Sequence, residues 1–540
     1  MSRHVQTGDA EAREPLLSLR YEDLKEDSDE GVIIFERSTS SFKSDSVGGS
    51  QKRLKYEEAV DAAGFGVFHY ALLVVCGWAN ASDAVEILCV SFLLPTARCD
   101  LHLDSSDMGL LTSSIFLGMM FGGYMWGYLA DQRGRRKVLV LSLTVNGIFG
   151  GLSSMAPWFS VFLVLRFISG IGVGGSIPVI FSYFSEFMPR LKRGTMISAL
   201  ATFWMAGNIL AAGLAWAVIP TNWTDFLGFM DFQGWRLFVM LCSVPSLTSA
   251  LFFLLLLPES PKFLMEAGRE KEALRVFKQM FKLNMRGKEK DFTVLGLCIN
   301  PRRDPDETRT LGKGRLTWAI KKALLPIKQM FQGSLKVRSF VLLIVFFCIS
   351  FGYYGLWMWF PELFARLESG GSPCRNMSLP RPMQNQSCYP VKTAVYMEGF
   401  IIAASNLPGN LFTILMMEST GGKVLLSCSL LVSSLSVFLI YVVQTKYQSL
   451  ILSCVFSGVS VVAWNALDVV GTELYPTHLR SSALGFFTGV GRVAAIMGNI
   501  VFGKLVDTNC SVPILLVSAM LLTGGLVALL LPKTKQMDLT

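Results

Sequence analysis

Charge is scarce in this chain of 540 residues. Asp, Glu, Lys and Arg make up 16% of it, while 51% is hydrophobic; an average soluble domain carries roughly a quarter charged residues. Soluble domains of ordinary size cannot bury such a surplus, and lipid is the other place to put it. Metal-ligating spacings are also missing. The 11 cysteines are scattered mostly through apolar runs, with no CxxC or Cys/His pattern, which argues against a metal site. No nucleotide-binding loop and no nucleophile motif occurs, so an enzyme has no support and no cofactor is expected. No cleavable signal peptide is expected either, since residues 1–60 are polar and mixed in charge and read as a disordered cytoplasmic tail. The net charge of +9 lies between apolar runs. It is read as the positive-inside bias of cytoplasmic loops, not as nucleic-acid binding.

A bilayer-crossing helix needs roughly 20 apolar residues. Twelve stretches qualify: 68–94, 108–130, 138–157, 160–183, 195–219, 235–257, 339–360, 393–416, 424–443, 448–471, 482–505 and 512–531. The fold class is therefore an all-α membrane protein of two six-helix halves, 61–257 and 339–532. A basic central loop, 258–338, joins them. It carries Arg269, Lys271, Arg275, Lys278 and Lys282, so it belongs in the cytoplasm with both termini, including the 533–540 tail. The sequons at Asn222, Asn376, Asn385 and Asn509 all fall in loops on the opposite face. Cys374 and Cys388 share the short loop 361–392 with two of those sequons, where a disulfide is plausible.

The two halves echo each other. Glu186-Phe187-Met188-Pro189 runs on to Arg193, and Glu473-Leu474-Tyr475-Pro476 runs on to Arg480; both read E-x-x-P-x-x-x-R. Asp131-Gln132-Arg133-Gly134-Arg135-Arg136-Lys137 stands against Glu418-Ser419-Thr420-Gly421-Gly422-Lys423. Repeats in the same order point to halves related by a pseudo-two-fold axis. Asp131, Arg135, Arg136, Glu186, Arg193, Glu473 and Arg480 are expected to pair between helix ends and gate the cytoplasmic side. Gly127, four residues before Asp131, is expected to pack closely against a neighbouring helix.

Gly127 to Lys137 and Arg166-Phe167-Ile168-Ser169-Gly170 resemble signature motifs of the major facilitator superfamily. Gly174-Gly175-Ser176-Ile177-Pro178, Tyr353-Tyr354-Gly355-Leu356 and Trp464-Asn465-Ala466-Leu467-Asp468-Val469 resemble the synaptic vesicle glycoprotein 2 family more specifically, over about 60–535. That resemblance implies a transporter fold with Trp216 and Trp464 lining a central cavity. The family's large lumenal domain between helices seven and eight has no counterpart in the short gap at 361–392.

Ionisable residues inside membrane helices are costly and mark function by default. Asp83 and Glu86 stand i,i+3 on one face of the first span. They are expected to share a coupling proton and to face the cavity, with Arg492 as their counter-charge or as the partner of Asp468. Glu398, near a helix end, is expected to face water, and Arg166 to be structural or part of a proton relay. Trp216, Tyr353, Tyr354, Trp464, Asn465, Asp468 and Arg492 form the expected substrate site, an aromatic box with polar groups. The reading is a secondary active transporter of a small organic solute (sugar, organic cation or anion) coupled to protons. The alternative is a non-transporting vesicle glycoprotein that regulates trafficking. Expected partners are the solute, protons, the bilayer and sorting adaptors at the tail, where Glu14-Pro15-Leu16-Leu17 resembles a dileucine signal. An endomembrane vesicle is the expected location.

Overall fold

A computed structural model describes residues 53–221, 233–285, 292, 296–297, 325, 327–333, 335–370, 391–443, 445–475, 477–509 and 511–532. The N-terminal half holds α2 (Val67–Asp100), α3 (Ser105–Arg133), α4 (Arg135–Ser153), α5 (Phe159–Ser185), α6 (Arg190–Val218) and α7 (Gly234–Leu255). The short helices α1 (Tyr56–Ala62), α8 (Pro261–Glu266) and α9 (Glu270–Met285) lie outside the bundle's long helices. The C-terminal half holds α10 (Leu335–Trp357), continued by α11 (Phe360–Gly370), then α12 (Thr393–Ala404), continued by α13 (Asn406–Thr420). It closes with α14 (Gly422–Val442), α15 (Lys446–Glu473), α16 (Thr477–Leu505) and α17 (Ser511–Ala528). Two short strands, β1 (Arg53–Leu54) and β2 (Gly296–Leu297), pair in parallel.

Eleven helical segments among the described residues are long and apolar enough to cross a membrane. The twelfth is α4, whose first turn carries Arg135, Arg136 and Lys137, and which packs against α5 and α7 like its neighbours. The repeat read from the motifs is present in the packing. In the first half α2 lies on α6 and α7, α4 on α5 and α7, and α3 on α5. In the second half α10 lies on α16 and α17, α14 on α15 and α17, and α13 on α15. Each half also makes the same one-residue turn between its second and third spans. Gly134 has φ +100° and Gly421 φ +84°, a region that side chains with a Cβ rarely adopt.

Backbone contact holds α3 to α5. A Cβ added at Gly118, Gly122, Gly170 or Gly174 would sit 2.1–2.4 Å from a carbonyl oxygen of the facing helix. This is small-residue packing of the kind lipid-embedded helices use. Gly127 takes no part in it, because nothing lies within 4 Å of a Cβ built there. Two other expectations also shift. Where a loop was expected from residue 361, α11 runs on to Gly370, since Pro361 fits its first turn and the charges there are paired. The eighth span breaks at Ser405, where Pro408 in α13 offers no N–H to Ala404.

The halves meet through α3 on α16, α6 on α12 and α2 on α11. Near the end of the bundle that carries Asn509, Gly109 lies against the backbone of Gly503 and Asn499. The Ser113 hydroxyl there donates to the Ile496 carbonyl at 3.2 Å.

Candidate functional site

Three helices build an aromatic cluster. Tyr353 and Tyr354 on α10 lie 6.2 and 5.9 Å from the Trp464 ring on α15, and Tyr353 stacks on Trp357 at 5.4 Å. Phe116 of α3 sits 4.9 Å from Tyr354, so the rings span both halves. The Arg492 guanidinium on α16 lies 5.8 Å from the Tyr354 centroid and 5.9 Å from that of Phe116. Arg492 Nη1 and Trp464 Nε1 are buried and find no acceptor among the described residues. Asn465 donates to Asn410 Oδ1 at 2.8 Å. Asp468, one turn beyond Trp464, is exposed.

Trp216 stands apart from this cluster. It is 41% exposed and packs on Phe400 at 5.7 Å. Spacing along α6 shows that Trp216 is on a membrane helix but not which way the helix turns it.

Asp83 and Glu86 do not face the space between the halves. Both are fully buried, and their partners come from α4 and α5 of their own half. Glu86 is ion-paired with Arg166 and accepts from Ser169 at 2.7 Å. Asp83 accepts from Ser176 at 2.6 Å and from Asn146 at 3.5 Å. Ser169 also lies 2.9 Å from Asn146 Oδ1. A chain of Asn146 and Ser169 thus links the two carboxylates, which do not touch each other. The expected counter-charge was Arg492, yet Arg492 makes no ion pair with Asp83, Glu86 or Asp468 among the described residues. Arg166 on α5 reaches Glu86 first, because α5 packs directly on α2. Asn146, a polar residue amid the third apolar run, was the overlooked signal.

The expected gating charges join helix ends within the N-terminal half. Arg135 pairs with Glu186 at 2.7 Å and with Asp131 at 3.7 Å. Glu186 also accepts from Ser260 at 2.5 Å. Burial pushes the Glu186 carboxyl up, and Arg135 and Ser260 pull it back. Arg136 donates to the carbonyls of Phe253 and Leu254, and its N–H to Glu259. Arg193 reaches Glu57 at 3.2 Å, tying α1 to α6. Glu473 makes no ion pair among the described residues, and the side chain of Arg480 lies outside them. Asn222, Asn376, Asn385, Cys374, Cys388 and the dileucine-like segment also lie outside the described residues. Asn509 is exposed.

A second charged cluster, missed in the sequence, lies across the halves at the Asn509 end. Arg98 of α2 pairs with Glu362 of α11 at 3.1 Å. Arg366 donates to Glu362 at 2.8 Å, to Asp507 beyond α16 at 2.9 Å and to Ser105 of α3 at 2.9 Å. Glu398 belongs to a neighbouring group. It is buried rather than facing water, and pairs with Lys446 at 2.6 Å.

Residues 50–292 match the family model described as "Sugar (and other) transporter". Synaptic vesicle glycoprotein 2B of Mus musculus is 33% identical over 589 aligned residues, 89% of this chain and 86% of that protein. Synaptic vesicle glycoprotein 2C of Homo sapiens is 33% identical over 89% of this chain and 81% of its own length. The rat synaptic vesicle glycoprotein 2A is 31% identical over 89% and 79%. Among solved structures, the xylose transporter XylE from E. coli superposes with a TM-score of 0.63 at 16% identity, covering 87% of this chain and 99% of that one.

Proposed function

The chain belongs to the synaptic vesicle glycoprotein 2 family of the major facilitator superfamily, and on that footing we propose that it is a proton-coupled secondary active transporter of a small organic solute. It is a multi-pass membrane protein with a transporter fold, not an enzyme. The solute occupies the aromatic cluster between the halves, and the proton belongs to the α2–α5 cluster. One observation carries the reading. Asp83, Glu86 and Arg166 are all fully buried, and two carboxyl groups stand against one guanidinium. A buried charge without a partner is expensive, so neutrality calls for one proton on the pair. Glu86 has Arg166; among the described residues Asp83 bonds to the neutral Ser176 and Asn146, and it is the member that takes the proton. Losing or gaining it changes the charge of the α2–α5 core, and with it the balance between access states.

The end of the bundle with Arg135 and Arg193 is read as cytoplasmic and the Asn509 end as lumenal. The lumenal side is then held shut by the Arg98–Glu362–Arg366–Asp507 group, and exposed Asp468 lies on the open cytoplasmic path. The relatives' names favour a vesicle membrane. The second reading is a vesicle glycoprotein that moves no solute, although such a protein has no evident use for a buried charge cluster. Uptake by proteoliposomes, screened across sugars, organic cations and organic anions with and without an inward proton gradient, tests the proposal. Gradient-driven accumulation of one solute class supports it. No accumulation of any class, from protein shown to be folded, favours the second reading.

A further inference from the structure

Tyr354 adjoins two buried donors that find no acceptor among the described residues, Arg492 Nη1 and Trp464 Nε1. Arg492 as a whole is half-buried, but its Nη1 is shielded from solvent, and a shielded donor without an acceptor is costly. No carboxylate among the described residues supplies an acceptor to it. Glu86 is paired with Arg166 and Asp83 is held by Ser176 and Asn146. Asp468 lies four residues beyond Trp464, about 6 Å along the helix axis, and makes no ion pair among the described residues. Among the described residues the site therefore lacks an acceptor, and a carboxylate offers acceptors only, with two oxygens that suit a guanidinium and a second N–H. The walls are flat rings: Phe116, Tyr353, Tyr354 and Trp464. Resting on the transport reading above, the geometry points to a small planar organic carboxylate as the solute, its anionic group held by Arg492 and Trp464 and its apolar body between the rings. Because Phe116 comes from the opposite half, such a ligand touches both halves at once.

The test uses the full chain in nanodiscs and in proteoliposomes, with benzoate, indole-3-acetate and acetate as probes. Each is compared with its neutral amide, and benzoate also with benzylamine, in chloride buffer. The carboxylates of the ring-bearing probes are expected to bind at least tenfold more tightly than the amides. Arg492→Gln should erase that margin, a loss of roughly tenfold to a hundredfold for a charge-assisted contact. Arg492→Lys should lose less, and Trp464→Phe, which keeps a ring and removes the N–H, should narrow the margin without removing it. Carboxylates that bind no better than their amides, or a margin unchanged in both Arg492→Gln and Trp464→Phe, would overturn the inference. Should Arg492→Gln fail to fold, Trp464→Phe and the amide comparison still decide. Carboxylates that bind as expected yet never enter liposomes would leave the anion site standing and remove the transport reading. Uptake of xylose or glucose with no carboxylate binding would do the reverse.

Discussion

The carboxylate of Glu86 and the guanidinium of Arg166 form an ion pair in which both side chains are wholly shielded from solvent. Removing one partner of such a pair leaves the other charge buried alone, at a cost of about 3–5 kcal/mol. Glu86→Gln should therefore lower the thermal stability of the purified protein markedly. The double change Glu86→Met with Arg166→Met should recover most of it while abolishing proton-driven uptake. A double variant no more stable than Glu86→Gln would show that the pair is not the source of the loss.

At the Asn509 end, Arg366 ties α11 to Ser105 and Asp507. Arg366→Met removes charged hydrogen bonds worth about 1.5–3 kcal/mol each, which shifts a two-state balance by roughly tenfold or more. With the isosteric probe Ser113→Cys, buried where α3 meets α16, Arg366→Met should speed labelling by an impermeant thiol reagent added from the lumenal side. Equal labelling rates with and without Arg366 would mean that the cluster does not hold the halves together.

The aromatic site gives a contrast between two tryptophans. Trp464→Ala should lose solute binding, since its ring adjoins both Tyr353 and Tyr354. Trp216→Ala should leave binding nearly unchanged, because Trp216 packs on Phe400 outside the cluster. Equal losses from the two substitutions, measured on protein of normal expression, would place Trp216 back in the site.

Topology is checked by glycosidase digestion and an epitope tag. Glycans are expected at Asn376 or Asn385, with a tag at residue 540 unreachable on intact cells. Tag binding without permeabilisation would invert the orientation.

Much of the fold was legible because lipid imposes a simple code. Long apolar runs marked the helices, and the E-x-x-P-x-x-x-R and Asp131/Glu418 echoes marked the two halves. The packing shows the same repeat, down to Gly134 and Gly421 in matching turns. The aromatic site was legible in part, since Tyr353, Tyr354 and Trp464 do converge. What spacing along one helix cannot reveal is the neighbour that helix turns toward. Asp83 and Glu86 were correctly placed on one face, but that face meets Arg166, Asn146 and Ser169 instead of the cavity. Likewise, Trp216 packs on Phe400, apart from the aromatic cluster. The charges of α11 read as a loop because Glu362 and Arg366 look solvent-bound until Arg98 and Asp507, far away in sequence, are seen beside them.

The most direct test of the proton cluster is Asp83→Asn, which fixes the neutral form without touching the Glu86–Arg166 pair. The variant is reconstituted with a pH-sensitive dye inside the vesicles and offered the solute that wild type accumulates. Wild type should carry protons in with the solute. Asp83→Asn should still exchange solute across pre-loaded vesicles, yet move no protons with it and gain nothing from an inward proton gradient. Proton entry and gradient-driven accumulation equal to wild type would contradict the assignment of the coupled proton to this cluster.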